Sequence, residues 1–273
     1  MFKIKNSIQF VYLRNTSAIS LSGNFCALSC KHCNKHYLKH MKTLDQAIPP
    51  HIKSLLVSGG LQKNGKSFIS KSFKKLLDLK KSRKIKFNAH IGFADEKEIE
   101  LFAQIIDFVS FDFVSDAKVV KKVYGINKTK DDYIKLYKNL IAHKIPVHPH
   151  ITVGLDEGKI HWEYEAIDIL QKLNPDKLVL NILIPTKGTE FENVSNPDLN
   201  EVRKLFKYAR KIFKNKFLIL GCMRPYGKYR NDLDKIAVEE GFDRIVQPTL
   251  SARQLAKEKN FKIEYLYECC VVD

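Results

Sequence analysis

Short apolar or β-branched runs alternate along the chain with longer segments in which apolar residues recur at helical spacing. The runs have the length of buried strands, and the periodic segments have the length of amphipathic helices. Strands are predicted at 19–22, 54–57, 86–90, 108–113, 147–153, 177–184, 217–220 and 244–246. Helices are predicted at 67–81, 96–106, 131–143, 162–173, 199–213, 233–240 and 252–259. The chain therefore reads strand, helix, strand, helix almost throughout.

Eight predicted strands, each followed by a helix or a long connection, match an α/β fold of the (β/α)8 or TIM barrel type, which typically needs about 250 residues. An open doubly wound sheet gives the same alternation, so periodicity alone leaves closure undecided. Unusual residues collect directly after the strands, which favours the barrel because its active sites form at that edge. We expect a single domain over 1–273, with its core at about 17–260 and a C-terminal tail at 261–273.

The composition agrees with a large folded core. The chain has 273 residues, of which 44% are hydrophobic, and this suits one large domain better than two small ones. No apolar run reaches membrane-spanning length, and residues 1–15 lack the apolar segment and cleavage site of a signal peptide. We therefore expect a soluble, cytoplasmic protein.

The charge is strongly positive, since 47 Lys and Arg residues face 30 Asp and Glu residues and give a net charge of +17. Such a balance favours an acidic partner, which is either a nucleic acid or an acidic protein. The lysines are spread over segments such as 71–84 and 204–216, where they have the pattern of solvated helix faces. Nucleic-acid binding is therefore the weaker interpretation of the charge.

Three of the six cysteines, Cys26, Cys30 and Cys33, form a CxxxCxxC motif directly after the first predicted strand. Three thiolates this close together can wrap one iron–sulfur cube and leave its fourth iron without a protein ligand. An iron with an open coordination position can bind a substrate or cofactor and take part in a reaction. The uneven spacing of the six cysteines does not suit a secreted disulfide framework.

Two other interpretations of the motif stay open. Cys30 and Cys33 could hold structural zinc together with His32, His36 or His40. Zinc knuckles usually need a second Cys/His pair at matching spacing, and none follows here. A thioredoxin-like redox pair is less favoured still, because it leaves Cys26 without a role.

The cysteine spacing resembles that of the radical S-adenosylmethionine (SAM) enzymes. In that superfamily the open iron chelates the amino and carboxylate groups of SAM, and an electron from the cluster splits SAM to a 5′-deoxyadenosyl radical. The resemblance implies that Cys26, Cys30 and Cys33 are the catalytic residues that hold a SAM-binding [4Fe–4S] cluster. It also implies cofactor contacts at His32, Ser58, Gly59, Gly60, Asp112, His150, Thr152, Asn181, Pro185 and Arg224.

Several of these contacts have a plain structural alternative. Ser58-Gly59-Gly60 is similar to the GGE-like motif that holds the SAM amino group, but Leu61 follows where an acidic residue is expected. Asp112 at a strand end either accepts from a ribose hydroxyl or caps the next segment. His148 and His150 share one face of a strand, where a core or substrate contact is favoured over a metal because no third ligand is evident.

The later segments follow the same reasoning. Residues 181–189 resemble the sixth-strand segment of biotin synthase and its relatives, which lies along the SAM adenosine; a strand that ends in a Pro/Gly turn is the alternative. Arg224 either neutralises cluster sulfide, binds the carboxylate of SAM, or has a structural role.

The remaining cysteines are Cys222, after the seventh predicted strand, and the adjacent Cys269 and Cys270. A tail folded over the barrel mouth would bring all three together as metal ligands of a second cluster. Neighbours on an extended strand face opposite sides, so both tail cysteines can ligate one cluster only if the tail turns there. The alternative to a second cluster is a tail with one buried thiol and one thiol that has no function.

The GNxCxLxCxHC start, the PTKGT segment, the GCMRPxGKYR run and the Cys-Cys tail resemble the archaeal-type two-component lipoyl synthases, a group of biotin synthase-like radical SAM proteins. Biotin synthase itself places its auxiliary-cluster cysteines on middle strands, where this chain has none. The resemblance implies a sulfurtransferase of lipoate biosynthesis that uses SAM, the SAM-binding cluster and an auxiliary [4Fe–4S] cluster. Its substrate would be an octanoyl or mercaptooctanoyl chain on a lysine of a carrier protein, either a lipoyl domain or the glycine cleavage H protein.

The same resemblance implies a related radical SAM partner protein and a reducing electron donor, with neither a membrane nor a nucleic acid as partner. Four alternatives stay open: biotin synthase, another radical SAM sulfurtransferase, a tRNA-modifying radical SAM enzyme and a zinc-binding protein without catalysis.

Overall fold

The structure is a computed structural model that describes residues 7–272. Residues 1–6 of the expected domain and residue 273 of the expected tail lie outside the described residues. The strands are β1 Ser7–Val11, β2 Thr16–Ser20, β3 Ser54–Ser58, β4 Lys86–His90, β5 Phe108–Asp112, β6 Val147–Val153, β7 Lys177–Ile182, β8 Phe217–Leu220, β9 Arg244–Val246 and β10 Lys262–Leu266. The α-helices are α1 Phe73–Ser82, α2 Glu96–Phe102, α3 Ala117–Tyr124, α4 Lys130–Ala142, α5 Trp162–Leu173, α6 Leu199–Ile212, α7 Gly227–Glu239 and α8 Leu250–Glu258, with short 3-10 helices at His36–His40 and Ser70–Ser72.

The strands form one parallel sheet in the order β10-β1-β9-β8-β7-β6-β5-β4-β3-β2. From β2 to β9 each strand pairs with the next one in the chain, which is the strand order of a (β/α)8 barrel. The α/β barrel-type fold predicted from the sequence is thereby confirmed. Its eight predicted strands correspond to β2–β9, and β1 and β10 are additions that the hydrophobic pattern did not reveal.

The curled sheet is not closed by strand pairing in the described chain, because β2 and β10 remain its two edges. A single residue between β1 and β2 bridges the gap. The Asn15 N–H donates to the carbonyl of Tyr267 (2.8 Å), and the Asn15 carbonyl accepts from the N–H groups of Lys53 (2.8 Å) and Ser54 (3.1 Å). The result is an incomplete barrel whose edges are held together by main-chain hydrogen bonds.

Alternation along the strands divides the hydrophobic residues into two groups. One alternate set, including Phe87, Val109 and Leu180, packs beneath the helices and forms the main core. Each helix contributes an apolar stripe to that core; in α6 the stripe is Val202, Leu205, Phe206 and Ala209. The other set of strand residues faces the interior of the curled sheet, which we call the lumen.

The lumen has two chemically different walls. The polar wall, on β4 to β6, carries Asn88, His90, Ser110, Asp112, His148 and His150. The apolar wall, on β1 and β7 to β9, carries Val11, Val179, Ile219 and Val246, which form a small hydrophobic cluster of their own. We call the end of the lumen at the carboxyl ends of the strands the mouth.

Within the expected tail at 261–273, Lys262–Leu266 form β10. The name tail is used from here on for residues 267–272, which do not fold over the mouth as expected. The tail enters the lumen from the opposite end, where Cys270 and Val271 join the apolar wall. Lys177, the first residue of β7, donates to the carbonyl of Val271 (2.8 Å), and Arg244, the first residue of β9, donates to the carbonyl of Cys270. The tail therefore fills the lumen from below and leaves the mouth open.

Element boundaries differ from the prediction at several points. Helix α3 was not predicted, because it is short and rich in lysine; Asp116 caps it and Val119, Val120 and Val123 bury it. Helix α7 begins at Gly227 instead of 233, and α2 ends at Phe102 instead of 106. Within residues 7–272, no helix combines the length and the apolar character needed to cross a bilayer.

Candidate functional site

The three cysteines of the CxxxCxxC motif lie on the loop that leaves β2, at the mouth. Main-chain hydrogen bonds tie this loop to its neighbours: Ala27 N–H donates to the carbonyl of Leu61 (2.8 Å), and Lys31 N–H donates to the carbonyl of Val123 (3.0 Å). Because one partner follows β3 and the other lies in α3, the loop is held by two separate parts of the fold. The cysteines are each partly accessible.

The predicted Ser58-Gly59-Gly60 segment lies directly against this loop. The Gly60 N–H donates to Ser22 Oγ (2.7 Å), and the next N–H, that of Leu61, donates to Cys26 Sγ (3.2 Å). A Cβ on Gly60 would overlap the carbonyl oxygen of Phe25 and crowd Cys26. The glycine is therefore needed for close approach to the cysteine loop, a role that accompanies the predicted contact with SAM.

Replacing Gly60 with alanine should displace the cysteine loop. Overpacking of this kind typically costs about 1–3 kcal/mol, and here the atoms that must move include Cys26 itself. We expect lower stability in urea unfolding and less bound iron after anaerobic reconstitution. Gly23→Ala is the matched control: a Cβ there meets nothing within 4 Å, although its φ of +59° makes the backbone strained. Equal iron binding in the two variants would contradict the packing argument.

Two thiols of this loop, Cys30 and Cys33, are poorly suited to being charged without a bound cation. Burial, reinforced by Cys33 and Cys26, raises the pKa of Cys30 to about 12, and burial also raises the pKa of Cys33. A bound cation removes this penalty, because it supplies the missing positive charge. The electrostatics therefore suit a group that brings positive charge to these two sulfurs.

Among the described residues, no three His, Cys, Asp or Glu side chains are close enough to share one metal ion. An iron–sulfur cube has a different requirement, since each cysteine binds its own iron and the sulfurs stand farther apart than around a single ion. The cysteine loop therefore fits a cluster better than it fits the zinc site left open from the sequence.

Asp112, at the end of β5, is the centre of a charged group beside the loop. His90 Nε2 lies 3.0 Å from Asp112 Oδ2, and the rings of His90 and His150 are 6.4 Å apart. Burial alone would raise the pKa of Asp112, but His90, His150 and His32 together lower it to about 2. The carboxylate is thus ionised at any working pH and available as a hydrogen-bond acceptor.

The histidines around Asp112 differ in charge. Asp112 raises the pKa of His90 above its ordinary value of 6.5, whereas burial lowers the pKa of His150 to about 4. Burial likewise lowers the pKa of His32 to about 4, and the His32 ring packs edge-on against Tyr124 at 5.5 Å. His32 Nδ1 has no hydrogen-bond partner among the described residues, so the ring has a free polar atom beside the cysteines.

Asp112→Asn should lower the pKa of His90. The charge and the hydrogen bond that raise this pKa would be lost, while burial, which lowers it, would remain. We therefore expect the His90 titration midpoint to fall to or below 6.5, measured from its ring-proton NMR shifts. Asp116→Asn, at the cap of α3, is the control. A midpoint that stays unchanged in Asp112→Asn would mean that the two side chains are not paired in solution.

Asn181, Thr152 and Pro185 also lie near the mouth. Thr152 pairs with Asn181 across β6 and β7. Asn181 is buried, its Oδ1 has no hydrogen-bond partner among the described residues, and a Cβ on Gly221 would overlap that oxygen. Pro185 lines a cavity of about 470 Å³ with Pro225 and Tyr226. The unpartnered amide oxygen suits a ligand contact, as the resemblance implies.

Arg224 has a structural role in place of the predicted cofactor contact. It is fully buried, and its guanidinium bonds Asp234 through Nε (2.7 Å) and Nη2 (3.1 Å). The remaining donors reach the carbonyls of Gly221 (2.6 Å) and Val246 (2.7 Å). With its donors used in this way, Arg224 fixes the connection after β8 and is not directed at a ligand. The structural alternative for this residue is therefore the better one.

The surroundings of His148 agree with a core role, which is one of the two roles, core or substrate contact, that the sequence favoured over a metal. It is buried, and its ring stacks on Phe108 at 5.8 Å. His150 is different, because its Nδ1 bonds the carbonyl of His148 (2.9 Å) and its ring faces His90 and Asp112.

Two cysteines of the second group, Cys269 and Cys270, lie inside the lumen. The tail turns at this pair, where Val272 N–H donates to the carbonyl of Cys269 (2.9 Å). Cys222 lies two residues after the end of β8 and is exposed. The turn that both tail cysteines need in order to face one ligand is thus present.

The two tail thiols differ in acidity. A hydrogen bond from Cys270, supported by Asn88 and main-chain N–H groups, lowers the pKa of Cys269 to about 6 against the effect of burial. The same sulfur–sulfur contact raises the pKa of Cys270. Cys269 is therefore the sulfur that carries negative charge first.

No protein-family model matches the chain. Among curated proteins the chain is similar to biotin synthase of Clostridium acetobutylicum, with 27% identity over 207 residues that cover 71% of this chain and 62% of that protein. It thus spans less than two thirds of this relative. Among solved structures, methylornithine synthase (PylB) superposes with a TM-score of 0.62 at 12% identity, covering 88% of this chain and 72% of that one.

Two further structures agree in fold. The FeFe-hydrogenase maturase HydG from Carboxydothermus hydrogenoformans has a TM-score of 0.65 at 17% identity, covering 88% of this chain and 59% of that one. Native anSMEcpe with bound AdoMet has a TM-score of 0.52 at 11% identity, covering 86% and 67% of the two chains. The chain is therefore similar in sequence to biotin synthase and shares its fold with these solved structures.

Sequence reasoning missed three residues at the centre of the lumen: Asn88, His90 and Ser110. Each is a single polar residue in a short strand, without a motif around it. The alternation Lys86, Asn88, His90 on β4 is a signal that could have identified two of them, because it puts three polar side chains on one strand face.

Proposed function

We propose that this chain is a radical SAM enzyme that inserts sulfur, and that it is one component of a two-protein lipoyl synthase. The observation that carries the proposal is the placement of two cysteine groups along one lumen. Cys26, Cys30 and Cys33 lie at the mouth, Cys222 follows β8, and Cys269 and Cys270 lie farther inside. Sulfur insertion at an unactivated carbon requires both a radical generator and a nearby sulfur source.

The cysteine loop would hold the SAM-binding [4Fe–4S] cluster, and Cys222, Cys269 and Cys270 would hold the auxiliary [4Fe–4S] cluster. When bound, the first group supplies the electron that cleaves SAM to a 5′-deoxyadenosyl radical, and the second supplies the sulfur. The protein contributes orientation and a dry site. Asn88 beside Cys269 and Leu61 beside Cys26 each donate an N–H to a ligand sulfur, as expected of residues around a cluster.

The polar wall of the lumen is suited to SAM. Asp112 keeps its charge and can accept from the ribose hydroxyls, while His90 holds the carboxylate in position. Asn181 offers an unpartnered amide oxygen at the same end of the lumen. The tail fills the lower end, which would limit the access of water to the reacting atoms from that side.

The apolar wall would hold the proposed sulfur source in place. Its side chains Val11, Val179, Ile219 and Val246 are fully buried and pack with Cys270 and Val271, so they fix the tail inside the lumen. The net charge of +17 favours docking of an acidic carrier protein that presents an octanoyl chain on a lysine. A related radical SAM partner protein and a reducing electron donor complete the proposed system.

The experiment that tests this proposal combines metal analysis with a product assay. Anaerobically purified protein should contain iron and sulfide for two clusters, and should form 5′-deoxyadenosine with SAM and a reductant. With an octanoyl-lysyl carrier peptide, and with the mercaptooctanoyl form to allow for the second sulfur position, it should yield a sulfur-containing product detected by mass spectrometry. Colourless protein that contains zinc would refute the proposal.

Biotin synthase activity is the second candidate, favoured by the similarity to the Clostridium acetobutylicum protein. The middle strands argue against it, because β4 to β6 carry no cysteine that could hold an auxiliary cluster. Supplying dethiobiotin in the same assay separates the two candidates, since only one of the two substrates should gain sulfur.

A further inference from the structure

Asn88 is fully buried in the middle of β4, and both ends of its side-chain amide are engaged. Its Nδ2 donates to Cys269 Sγ (3.3 Å), and its Oδ1 accepts from Ser110 Oγ (3.0 Å) on the neighbouring strand. Ser110 is itself buried. The Ser110 hydroxyl donates to the carbonyl end of the amide, and the N–H end is directed at the tail.

The partner of this N–H is informative. A neutral thiol is a weak acceptor, whereas a thiolate or a metal-bound sulfur accepts strongly. A buried amide aimed at a weak acceptor is poorly satisfied, which makes a neutral Cys269 an unfavourable arrangement. The geometry thus suits a sulfur that carries negative charge.

The two adjacent tail cysteines have different surroundings. Cys270 is buried against Val11, Val179 and the other members of the apolar wall, and its carbonyl is held by Arg244. Cys269 is partly accessible, and it is Cys269 that receives the amide N–H. Asn88 therefore acts on one specific member of the pair.

We propose that Asn88 is a positioning residue of the auxiliary cluster, which holds the Cys269 sulfur in the lumen and stabilises its negative charge, with Ser110 fixing the direction of the amide. This inference rests on the proposed function, since it requires the second cluster. It adds to that function a residue on a middle strand that supports the auxiliary site without being one of its ligands.

The test uses a full-length chain in which Cys26, Cys30 and Cys33 are all alanine, so that any bound iron belongs to the second site. After anaerobic reconstitution, iron and sulfide are measured per chain, together with the rate of iron loss to a chelator. A hydrogen bond to a charged group typically accounts for at least a tenfold change in an equilibrium or rate. Asn88→Ala and Asn88→Asp should therefore lose iron about tenfold faster.

Asn88→Asp is the sharper variant, because it keeps the shape and the acceptor for Ser110 but replaces the N–H with a second negative oxygen. Ser110→Ala should speed iron loss by a smaller factor, about threefold, because it frees the amide to turn. Asn139→Ala is the control, since its amide lies on the outside of the barrel near Glu96 (3.4 Å). The electron paramagnetic resonance spectrum of the reduced cluster should also change in the Asn88 variants and not in this control.

The outcomes separate two failures. Iron loss at the unaltered rate and an unchanged spectrum in both Asn88 variants would overturn the positioning role while leaving the second cluster in place. A triple-alanine chain that holds no iron would overturn the second cluster and the role of Asn88 together. Formation of 5′-deoxyadenosine by the unaltered protein would show that the SAM site survives that result.

Discussion

Replacing Cys26 with alanine should abolish the formation of 5′-deoxyadenosine from SAM. Three thiolates hold three irons of the cube and leave the fourth open, and Cys26 Sγ accepts from the Leu61 N–H at 3.2 Å. With two ligands a second iron also lacks a protein ligand and the cluster is no longer held, so the expected decrease is to background, at least a hundredfold. The measurement is chromatographic detection of 5′-deoxyadenosine under anaerobic conditions with a chemical reductant.

Ser29→Ala is the matched control for this variant. Ser29 lies on the same loop between the cysteines and is exposed, and its removal leaves all three thiols in place. We expect it to cleave SAM at nearly the unaltered rate. Retention of cleavage by Cys26→Ala would refute the assignment of this loop as the SAM site.

Replacing Cys222 with alanine should separate the two halves of the reaction. The proposed SAM-binding loop is untouched, so 5′-deoxyadenosine should still form, while the proposed auxiliary cluster would lose the one ligand that does not come from the tail. We expect bound iron and sulfide to fall by about half and the sulfur-containing product to fall to background. Uncoupled cleavage of SAM is then the signature, measured as 5′-deoxyadenosine formed without thiolated peptide.

Met223→Leu provides the comparison for Cys222. It changes the neighbouring side chain at nearly constant volume, which usually costs less than about 1.5 kcal/mol, and keeps every cysteine. This variant should retain both its iron and its product. A full complement of iron in Cys222→Ala would mean that the second cluster is held by other residues.

The main parts of the fold were predictable because they follow from local pattern. The eight strands β2 to β9 were recognised as apolar runs, and the capped amphipathic helices between them by their period. Strands β1 and β10 were missed because their outer positions are polar, as in Lys262 and Glu264 of the edge strand. Such an edge strand lacks the continuous apolar run of a strand buried on both faces.

The two cysteine groups of the candidate site also differ in how far the sequence could predict them. The three cysteines of the CxxxCxxC loop lie within eight consecutive residues, and their spacing alone indicates that three sulfurs can surround one group. Cys222, Cys269 and Cys270 could be grouped from the sequence only as leftover cysteines, and the expected tail over the mouth was wrong. The position of Cys269 and Cys270 depends on Lys177 and Arg244, which donate to main-chain carbonyls of the tail at the opposite end of the lumen.

The sequence by itself determined the parallel α/β architecture and the loop of three cysteines, because helical period, strand alternation and thiol spacing are all local properties of a chain. Only the tertiary structure decided that the tail enters from below, that Arg224 is committed to Asp234, and that Asn88 meets Cys269. These facts depend on which side chains the curled sheet turns inward and brings together from strands far apart in sequence. No local pattern encodes such contacts, since they form only when the sheet curls and the chain is fully folded.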